Sequence, residues 1–353
     1  MRFITTAIAA SLALTATASA QSYSGADTIV VEDFFGTVEL ELSGNGQITI
    51  ARTGGDASDA KIGGNRERAV IQGEGLDKDR WYRQYRDLRQ QRRYRQNARD
   101  EDPAFESMLE DRPTITIAAP AGTSIIVKDS AIKMRTSGDA GDVVVDNNVH
   151  VLMWFDDMEN GELEVHGSGY IKAGNIDGLL EGSVHGSGDL IVGNVREADL
   201  SVHGSGDLNA QNIGGELDAS VHGSGDLTTD RVVGPVEANV HGSGDLEIRS
   251  IARGIEGRVH GSGDLKVGSV QGGDIDASVH GSGDFNIERG NAGRLIARVQ
   301  GSGEFKFGGT SESANLRSSS SGEIRVGEVT GRLEASGKDI RVGGSKVGDD
   351  DDH

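Results

Sequence analysis

The sequence predicts an all-β protein: a parallel β-helix (solenoid) with coils of about 19 residues and one short inserted helical segment. The first observation is a pentapeptide, His-Gly-Ser-Gly followed by Asp or Tyr, that occurs seven times at steps of 18 to 20 residues. The second is an alternation of apolar and polar residues on both sides of each copy. The third is a change of composition in one segment, which is rich in Arg and Tyr. The copies begin at His166, His185, His203, His222, His241, His260 and His280.

Each repeat predicts a strand on either side of the pentapeptide. Leu217, Ala219 and Val221 precede His222, and pairs such as Leu246 and Ile248 follow the later copies. Since successive side chains of a strand point to opposite faces, the His, Ser and Asp are predicted to share the solvent side. The two Gly are predicted to point inward or to form a corner where a Cβ cannot fit. Weaker copies at 300–304, 321–323 and 336–338 extend the predicted solenoid over residues 113–345.

Composition and charge limit the possible partners. The chain has 53 Gly at a regular phase but only 4 Pro and no Cys, which argues against disorder and excludes disulfides. Residues 1–20 are predicted to be a signal peptide, because Arg2 precedes an apolar run and Ala18-Ser19-Ala20 suits cleavage. Its removal would change the net charge from −21 to −22, which disfavours nucleic acid as a partner. We expect an exported protein, periplasmic, secreted or at the cell surface, whose mature chain has no transmembrane segment.

Residues 21–76 are predicted to form N-terminal strands followed by a loop. The segment from Thr28 to Ile50 alternates as a pair of strands joined by a tight turn at Gly44-Asn45-Gly46. Residues 51–76 are rich in Gly and Asp and are predicted to be loop. At the other end, residues 346–353 form an acidic tail.

Residues 77–112 are predicted to be a basic, aromatic helical insert. Between 77 and 99 there are nine basic residues and three acidic ones. Trp81, Tyr85 and Leu88 have helical spacing, and Pro103 is predicted to close the helix or to follow it. The insert could bind nucleic acid or another anionic polymer. We favour the alternative, in which it lies against the acidic solenoid of its own chain.

These residues resemble the head GIN domain family of auto-transporter adhesins. The resemblance is carried by the recurrent Gly-Ser-Gly-Asp/Glu, the strand pair within 28–50, the strand at 114–118 before Pro120, and Ser137-Gly138-Asp139. It covers most of the chain after residue 20 except the insert. It implies a β-solenoid and a role in adhesion. The near-invariant His is a departure from the family pattern.

The repeated His and Asp should stack in columns with a spacing of about 4.8 Å. A column of like charges is unfavourable, so counterions, protonated imidazoles or a divalent cation should offset it. Calcium or zinc is therefore a candidate, the alternative being a solvated face; otherwise no cofactor is expected. The candidate metal ligands are His185, His203, His222, His241, His260, His280, Asp189, Asp207, Asp226, Asp245, Asp264 and Asp284.

Catalysis is not expected from the repeat. Extended residues at i and i+2 are about 7 Å apart, too far for a nucleophile and its base. A glycan-active site is the enzymatic alternative, because acidic residues cluster near Trp154 and sugar hydrolysis uses paired carboxylates. Those residues are Asp156, Asp157, Glu159, Glu162 and Glu164.

Three functions therefore remain open. We favour an exported non-enzymatic solenoid whose His/Ser/Asp face binds an envelope polymer, a surface or a partner protein. The second is a scaffold that responds to divalent metal or to pH. The third is an envelope glycan-active enzyme.

Overall fold

The computed structural model describes residues 20–43, 46–55, 59–91, 102–147 and 149–348. It is a parallel β-solenoid of about 11 turns with a spacing near 19 residues, so the predicted fold class is confirmed. The predicted signal peptide and the Asp-rich end of the tail lie outside the described residues, apart from Ala20.

The N-terminal part of the chain contains strands and two helices. They are β1 (Gln21–Ser24), β2 (Thr28–Glu32), β3 (Phe35–Leu42), β4 (Gln47–Arg52), β5 (Ala60–Gly64), β6 (Arg68–Gly73), α1 (Lys78–Gln91), α2 (Pro103–Leu109), β7 (Thr114–Ala119), β8 (Ser124–Lys128), β9 (Ala131–Ser137), β10 (Ala140–Asn147) and β11 (His150–Trp154).

The repeat region continues with two strands per coil, one on each side of the His-Gly-Ser-Gly corner. They are β12 (Met158–Val165), β13 (Tyr170–Lys172), β14 (Ile176–Val184), β15 (Asp189–Val192), β16 (Val195–Val202), β17 (Leu208–Ile213), β18 (Leu217–Val221), β19 (Leu227–Val232), β20 (Val236–Val240), β21 (Leu246–Ile251), β22 (Ile255–Val259), β23 (Leu265–Gln271), β24 (Ile275–Val279), β25 (Phe285–Val299), β26 (Phe305–Ser318), β27 (Ile324–Val329), β28 (Leu333–Gly337), β29 (Ile340–Val342) and β30 (Ser345–Val347).

The N-terminal strands form the first coils of the solenoid. β2 lies between β6 and β8, and β3 lies between β7 and β9, with every pairing parallel. The prediction of loop over 51–76 is wrong, because this segment contains β5 and β6. Ala69 and Ile71 of β6 are fully buried, and this short alternation is flanked by Gly and charged residues that mask it in the sequence.

The strands predicted within 28–50 are present, but β4 does not complete a hairpin with β3. It pairs antiparallel with β1 and with β7, at the end of the solenoid. Antiparallel β5 and β6 lie at the same end. The parallel stack therefore begins under a set of antiparallel strands, which occupy backbone groups that an open first coil would leave unpaired.

The helical insert lies between β6 and β7. α1 confirms the helix predicted from Trp81, Tyr85 and Leu88. Pro103 follows α1 as predicted, but it also begins a second helix, α2, which was not predicted. Asp102 caps α2 by accepting hydrogen bonds from the N–H groups of Ala104 and Phe105, both at 3.1 Å. Pro is well suited to this first position, because the first N–H groups of a helix have no partner within it.

The inward residues of the regular coils form one continuous core. The apolar residues before each corner, such as Leu217, Ala219 and Val221, are fully buried. Equivalent residues of successive coils are direct register partners, as Ala219 and Ala238 show. The predicted alternation is thus confirmed.

Variation in repeat length falls in the turn opposite the corner. In the six copies from His166 to His260, the residue ten positions after the His is a buried apolar residue. The residue five positions before the next His is also buried and apolar in each of them. Two residues separate Val195 from Ala198, and three separate Ile213 from Leu217. Four separate Val270 from Ile275. Steps of 18, 19 and 20 residues therefore leave the corner unchanged.

Candidate functional site: the ladder face

The corner residues form a flat, repetitive surface that we call the ladder face: the His and Ser of the seven copies that begin at His166 to His280, and the Asp of the six copies that end at Asp189 to Asp284. Its seven imidazoles stack in one column, with neighbouring ring centroids 4.6 to 4.9 Å apart. The planes of neighbouring rings differ by at most 11°. From His185 to His280 the imidazoles are exposed, so the predicted solvent side is confirmed.

Stacking changes the protonation of these imidazoles. Burial lowers the pKa of His185, and the neighbouring His166 and His203 lower it further. The pKa of His260 is lowered for the same reasons, with His241 and His280 as neighbours. At His185 and His260, a charge on a neighbouring ring therefore opposes protonation.

The Asp column is held by the backbone of the coil that follows. The Oδ1 atom of Asp207 accepts a hydrogen bond from the N–H of Asp226 at 3.0 Å, and that of Asp226 accepts one from the N–H of Asp245 at 2.8 Å. The pattern runs from Asp189 to the N–H of Glu304. These carboxylates thus satisfy backbone donors at the corner, a role that was not predicted.

One lysine also offsets the charge of the Asp column. Lys266 lies 2.6 Å from Asp245 and 3.2 Å from Asp264. Burial would raise the pKa of Asp245, but its hydrogen bonds from Lys266 and from the N–H of Asp264 outweigh this and lower it. The repulsion that motivated the metal prediction is therefore relieved in part by protein groups.

The two Gly of each corner are required by the close approach of successive coils. A Cβ at Gly225 would lie 1.9 Å from the carbonyl oxygen of Gly206. At Gly223 the same distance, to the carbonyl oxygen of Gly204, is also 1.9 Å. Neither glycine has a positive φ, so the constraint is steric and not conformational. The second of the two predicted explanations, a corner without room for a Cβ, is confirmed.

A second acidic column, which was not predicted from the sequence, runs beside the His column. An acid stands four residues before each of the seven His, and that regularity is visible in the sequence. In the parallel register these acids are direct neighbours: Glu162, Glu181, Asp199, Asp218, Glu237, Glu256 and Asp276.

The two halves of this acidic column differ in charge compensation. Arg258 pairs with Glu237 at 2.7 Å and also with Glu256, and Arg298 pairs with Asp276 at 2.8 Å. Within the described part of the chain, the first four acids make no ion pair. Burial raises the pKa of Asp218, and the neighbouring Asp199 and Glu237 raise it further. The N-terminal half is therefore the more negative surface.

The carboxylates predicted near Trp154 lie in different places on the solenoid. The side chain of Asp156 accepts a hydrogen bond from the N–H of Gly138 at 2.9 Å, and Asp157 accepts one from the N–H of Asn175 at 2.6 Å. Both line a shallow depression beside Trp154. Glu162 and Glu164 lie instead next to the His column, on β12. Glu159 is exposed on the same strand.

The helical insert packs on the side of the solenoid next to the first corner. Trp81, Tyr85 and Phe105 form a buried cluster with Leu152 and Tyr170. The exposed residues of α1 include Arg83, Arg86 and Arg89. The favoured prediction was that the insert lies against its own solenoid. It is confirmed for the apolar side chains of α1, Trp81, Tyr85 and Leu88.

His150 lies at the centre of this cluster and is 2% exposed. Its ring contacts those of Trp81, Tyr85 and Phe105, and its Nε2 atom is 3.4 Å from Asp102. Burial lowers the pKa of His150 to about 4, although the Asp102 carboxylate opposes this shift. Sequence reasoning could not identify His150, because its burial depends on where the helices dock.

The His and Asp columns do not supply three convergent ligand atoms anywhere in the described residues. The cluster that does so consists of Asp146, Glu164 and His166. Metal binding by His185–His280 and Asp189–Asp284 stays a prediction.

The family follows from a match over the solenoid. Residues 123–269 and 257–345 match the family described as "Putative auto-transporter adhesin, head GIN domain". The two segments together span more than half of the chain. This chain belongs to that family. The predicted resemblance is confirmed, and the matched part of this head GIN protein includes the whole ladder face.

Solved structures with similarity to this head GIN protein include two from Parabacteroides distasonis. One, named a "putative adhesin", is 13% identical with a TM-score of 0.25, over 91% of this chain and 98% of that chain. The other, named a "Putative lipid binding protein", is 14% identical with a TM-score of 0.26, over 92% and 97%. A "putative cell adhesion protein" from Clostridium sporogenes is 12% identical with a TM-score of 0.19, over 71% and 99%.

A comparison with curated proteins finds no match. The family assignment therefore depends on the family match alone. Within the described residues, neither helix of this head GIN protein is long and apolar enough to cross a membrane.

Proposed function

We propose that this protein is an exported, non-enzymatic adhesion-type binding protein that engages an extended partner through its ladder face. The observation that carries the proposal is the repetition of one set of exposed His and Ser groups at steps near 4.8 Å. A partner with repeated contact groups, such as an envelope polymer, a surface or an elongated protein, would meet the same group at every coil. Many weak contacts then act together, because each one holds the next at high effective concentration.

Family membership supports this function and a location outside the cell or at its surface. The carboxylates of the Asp column support a binding role over catalysis, since their Oδ1 atoms are engaged by the backbone of the next coil. The acidic column beside the His column makes the face selective. It favours partners that carry hydrogen-bond donors or positive charge over polyanions at neutral pH.

The test is a binding assay on a panel of immobilised probes: peptidoglycan, a neutral polysaccharide, an acidic polysaccharide and a polyamine-coated surface. A triple variant replaces His222, His241 and His260 with Gln. A matched control replaces Asn212, Arg231 and Ser250 with Ala, since these are register partners in three successive coils at the turn away from the corner. We expect at least one probe to bind the wild type, the control to bind equally well, and the His variant to lose at least about tenfold in affinity. Equal binding by all three proteins would refute the assignment of the ladder face.

A pH-responsive surface is the second candidate, and the stacked imidazoles favour it. Burial, and after it the neighbouring imidazoles, lower the pKa of His185, His241 and His260, so these three rings gain charge only under acidic conditions. Binding of the acidic polysaccharide should then rise as the pH falls from 7 to 5. A pH-independent affinity, with the His signals titrating normally by NMR, would remove this candidate.

A further inference from the structure

Three side chains converge where the irregular N-terminal coils meet the first His-Gly-Ser-Gly corner. Asp146 of β10 and Glu164 of β12 are direct register partners on the outer face of the sheet. His166 follows the end of β12 by one residue. One donor atom from each of the three residues lies within 4.8 Å of the other two. The Nε2 atom of His166 is 2.8 Å from a carboxylate oxygen of Glu164.

This cluster is specific to the first copy of the repeat. The position two residues before the His is Glu164 here, whereas the next three copies have Ser183, Ser201 and Ser220. No later copy has an acid at this position. The exchange of Ser for Glu therefore occurs in the one regular coil that stacks directly on Asp146.

The two carboxylates need a counter-charge. Like charges on directly opposite residues of neighbouring strands are destabilising. Among the described residues, neither Asp146 nor Glu164 forms an ion pair with Lys or Arg. Lys128 is the register partner of Asp146 on its other side, but it makes no ion pair with Asp146. The acids Glu162 and Glu181 of the neighbouring column add further negative potential.

We propose that Asp146, Glu164 and His166 bind one divalent transition-metal ion of the zinc class. An imidazole nitrogen with two carboxylate oxygens suits zinc and related ions, whereas calcium prefers an all-oxygen shell. Three protein ligands leave at least one position for water or for a group of a partner.

Only small movements would complete the site. Ligands at about 2.0–2.2 Å from a tetrahedral zinc lie about 3.3 Å from each other, so no donor pair must close by more than about 1.5 Å. The side chains of Glu164 and His166 are both partly accessible to solvent, so the Glu164 carboxylate has room to rotate. The ring of His166 stacks on that of His185 at 4.6 Å and 8°, which holds its plane while the carboxylates adjust. The site does not depend on the proposed function of the ladder face.

The experiment is calorimetric titration of the untagged chain with Zn²⁺ at pH 7.5. The variants are His166→Gln and Glu164→Ser, the second of which installs the residue of the next three copies. The matched control is His222→Gln, which removes an imidazole from the middle of the same column. Melting curves without metal show that each variant is folded.

We expect one ion per chain in the wild type and in His222→Gln. Affinity should fall at least about tenfold in His166→Gln and in Glu164→Ser. Calcium at the same concentration should not displace the zinc. Three results would overturn the proposal: no zinc binding by the wild type, undiminished binding by folded His166→Gln, or several ions per chain that are lost in step with column imidazoles. The last result would instead establish the metal site predicted on the His and Asp columns.

Discussion

Leu152, Tyr170 and the Asp residues that begin at Asp189 are register partners in one outward column of the solenoid. This column has two different environments. In the two coils beneath the helices it carries Leu152 and Tyr170, which are 1% and 6% exposed. In the next coil the register partner of Tyr170 is Asp189, and the column is Asp from there to Asp284. The backbone is the same parallel coil in both regions. Apolar or aromatic residues thus occupy this column where the helices cover it, and Asp occupies it where it is exposed to solvent.

Histidine shows the same contrast. His150 is enclosed by aromatic rings and is held neutral, whereas His185 to His280 are exposed and stack on the neighbouring imidazoles of the His column. Burial is the main cause of the lowered pKa in both regions, but its effect at His150 is much larger. The covered region therefore contains one titratable side chain, His150, within a packed core. In the exposed region the titratable imidazoles lie on the surface.

The largest effect is expected from truncation of Trp81, the side chain that anchors the two helices to the solenoid. Trp81→Ala should weaken the docking of the helices by about 3–5 kcal/mol, the usual cost of truncating a large buried aromatic residue. Trp81→Phe should cost far less, because the buried indole N–H has no hydrogen-bond partner to lose. Limited proteolysis at sites between 77 and 112 measures the docking, and the β-sheet circular dichroism should remain. Loss of the β signal in Trp81→Ala would show that the covered coils depend on the helices for their fold.

Acidification below pH 6.5 should destabilise the covered region through His150. The pKa of His150 is about 4 when folded, against about 6.5 when unfolded. The unfolded state therefore binds the extra proton between these values, and the stability present above pH 6.5 is lost progressively as the pH falls towards 4. The melting temperature of the wild type should fall over this window, and that of a folded His150→Leu variant should fall less. Parallel pH curves for the two proteins would exclude His150 as the cause.

In the exposed region, substitutions of a corner glycine and of the adjacent serine should differ in their effect on stability. Gly225→Ala should cost about 1–3 kcal/mol or more, because its Cβ meets the backbone of the coil below. Ser224→Ala, one residue earlier and exposed, should stay within about 0.5 kcal/mol of the wild type. Chemical denaturation compares the two variants. Equal midpoints would mean that the coils do not approach at Gly225 as described.

The smallest effect is expected at the Asp column. Asp226→Ala removes the acceptor for the N–H of Asp245 and should cost about 1 kcal/mol, as the loss of a helix cap does. Asp226→Asn keeps an acceptor oxygen and should be nearly neutral. Thermal melting distinguishes the two variants. If Asn destabilises as much as Ala, the charge of the Asp and not its hydrogen bond is what matters.

The sequence predicted the coil, the solvent side and the corner, because each depends on a short period that repeats many times. The acids four residues before each His were equally regular and could have been found by the same reasoning. β6 was missed because Ala69 and Ile71 make a short alternation within a polar segment. The bond from each Asp to the next coil and the burial of His150 depend on distances between segments far apart in sequence, which no local pattern contains.

The Asp column also has a consequence for how such a chain can change length in evolution. Each coil brings both an acceptor for the coil after it and a donor for the coil before it, and unequal repeat lengths are absorbed at the far turn. A duplicated unit of about 19 residues would therefore join the stack with every corner bond restored, extending the ladder face by about 4.8 Å. Loss of a whole unit would shorten it by the same amount. Gene duplication and deletion can thus adjust the reach of this protein without a single compensating substitution.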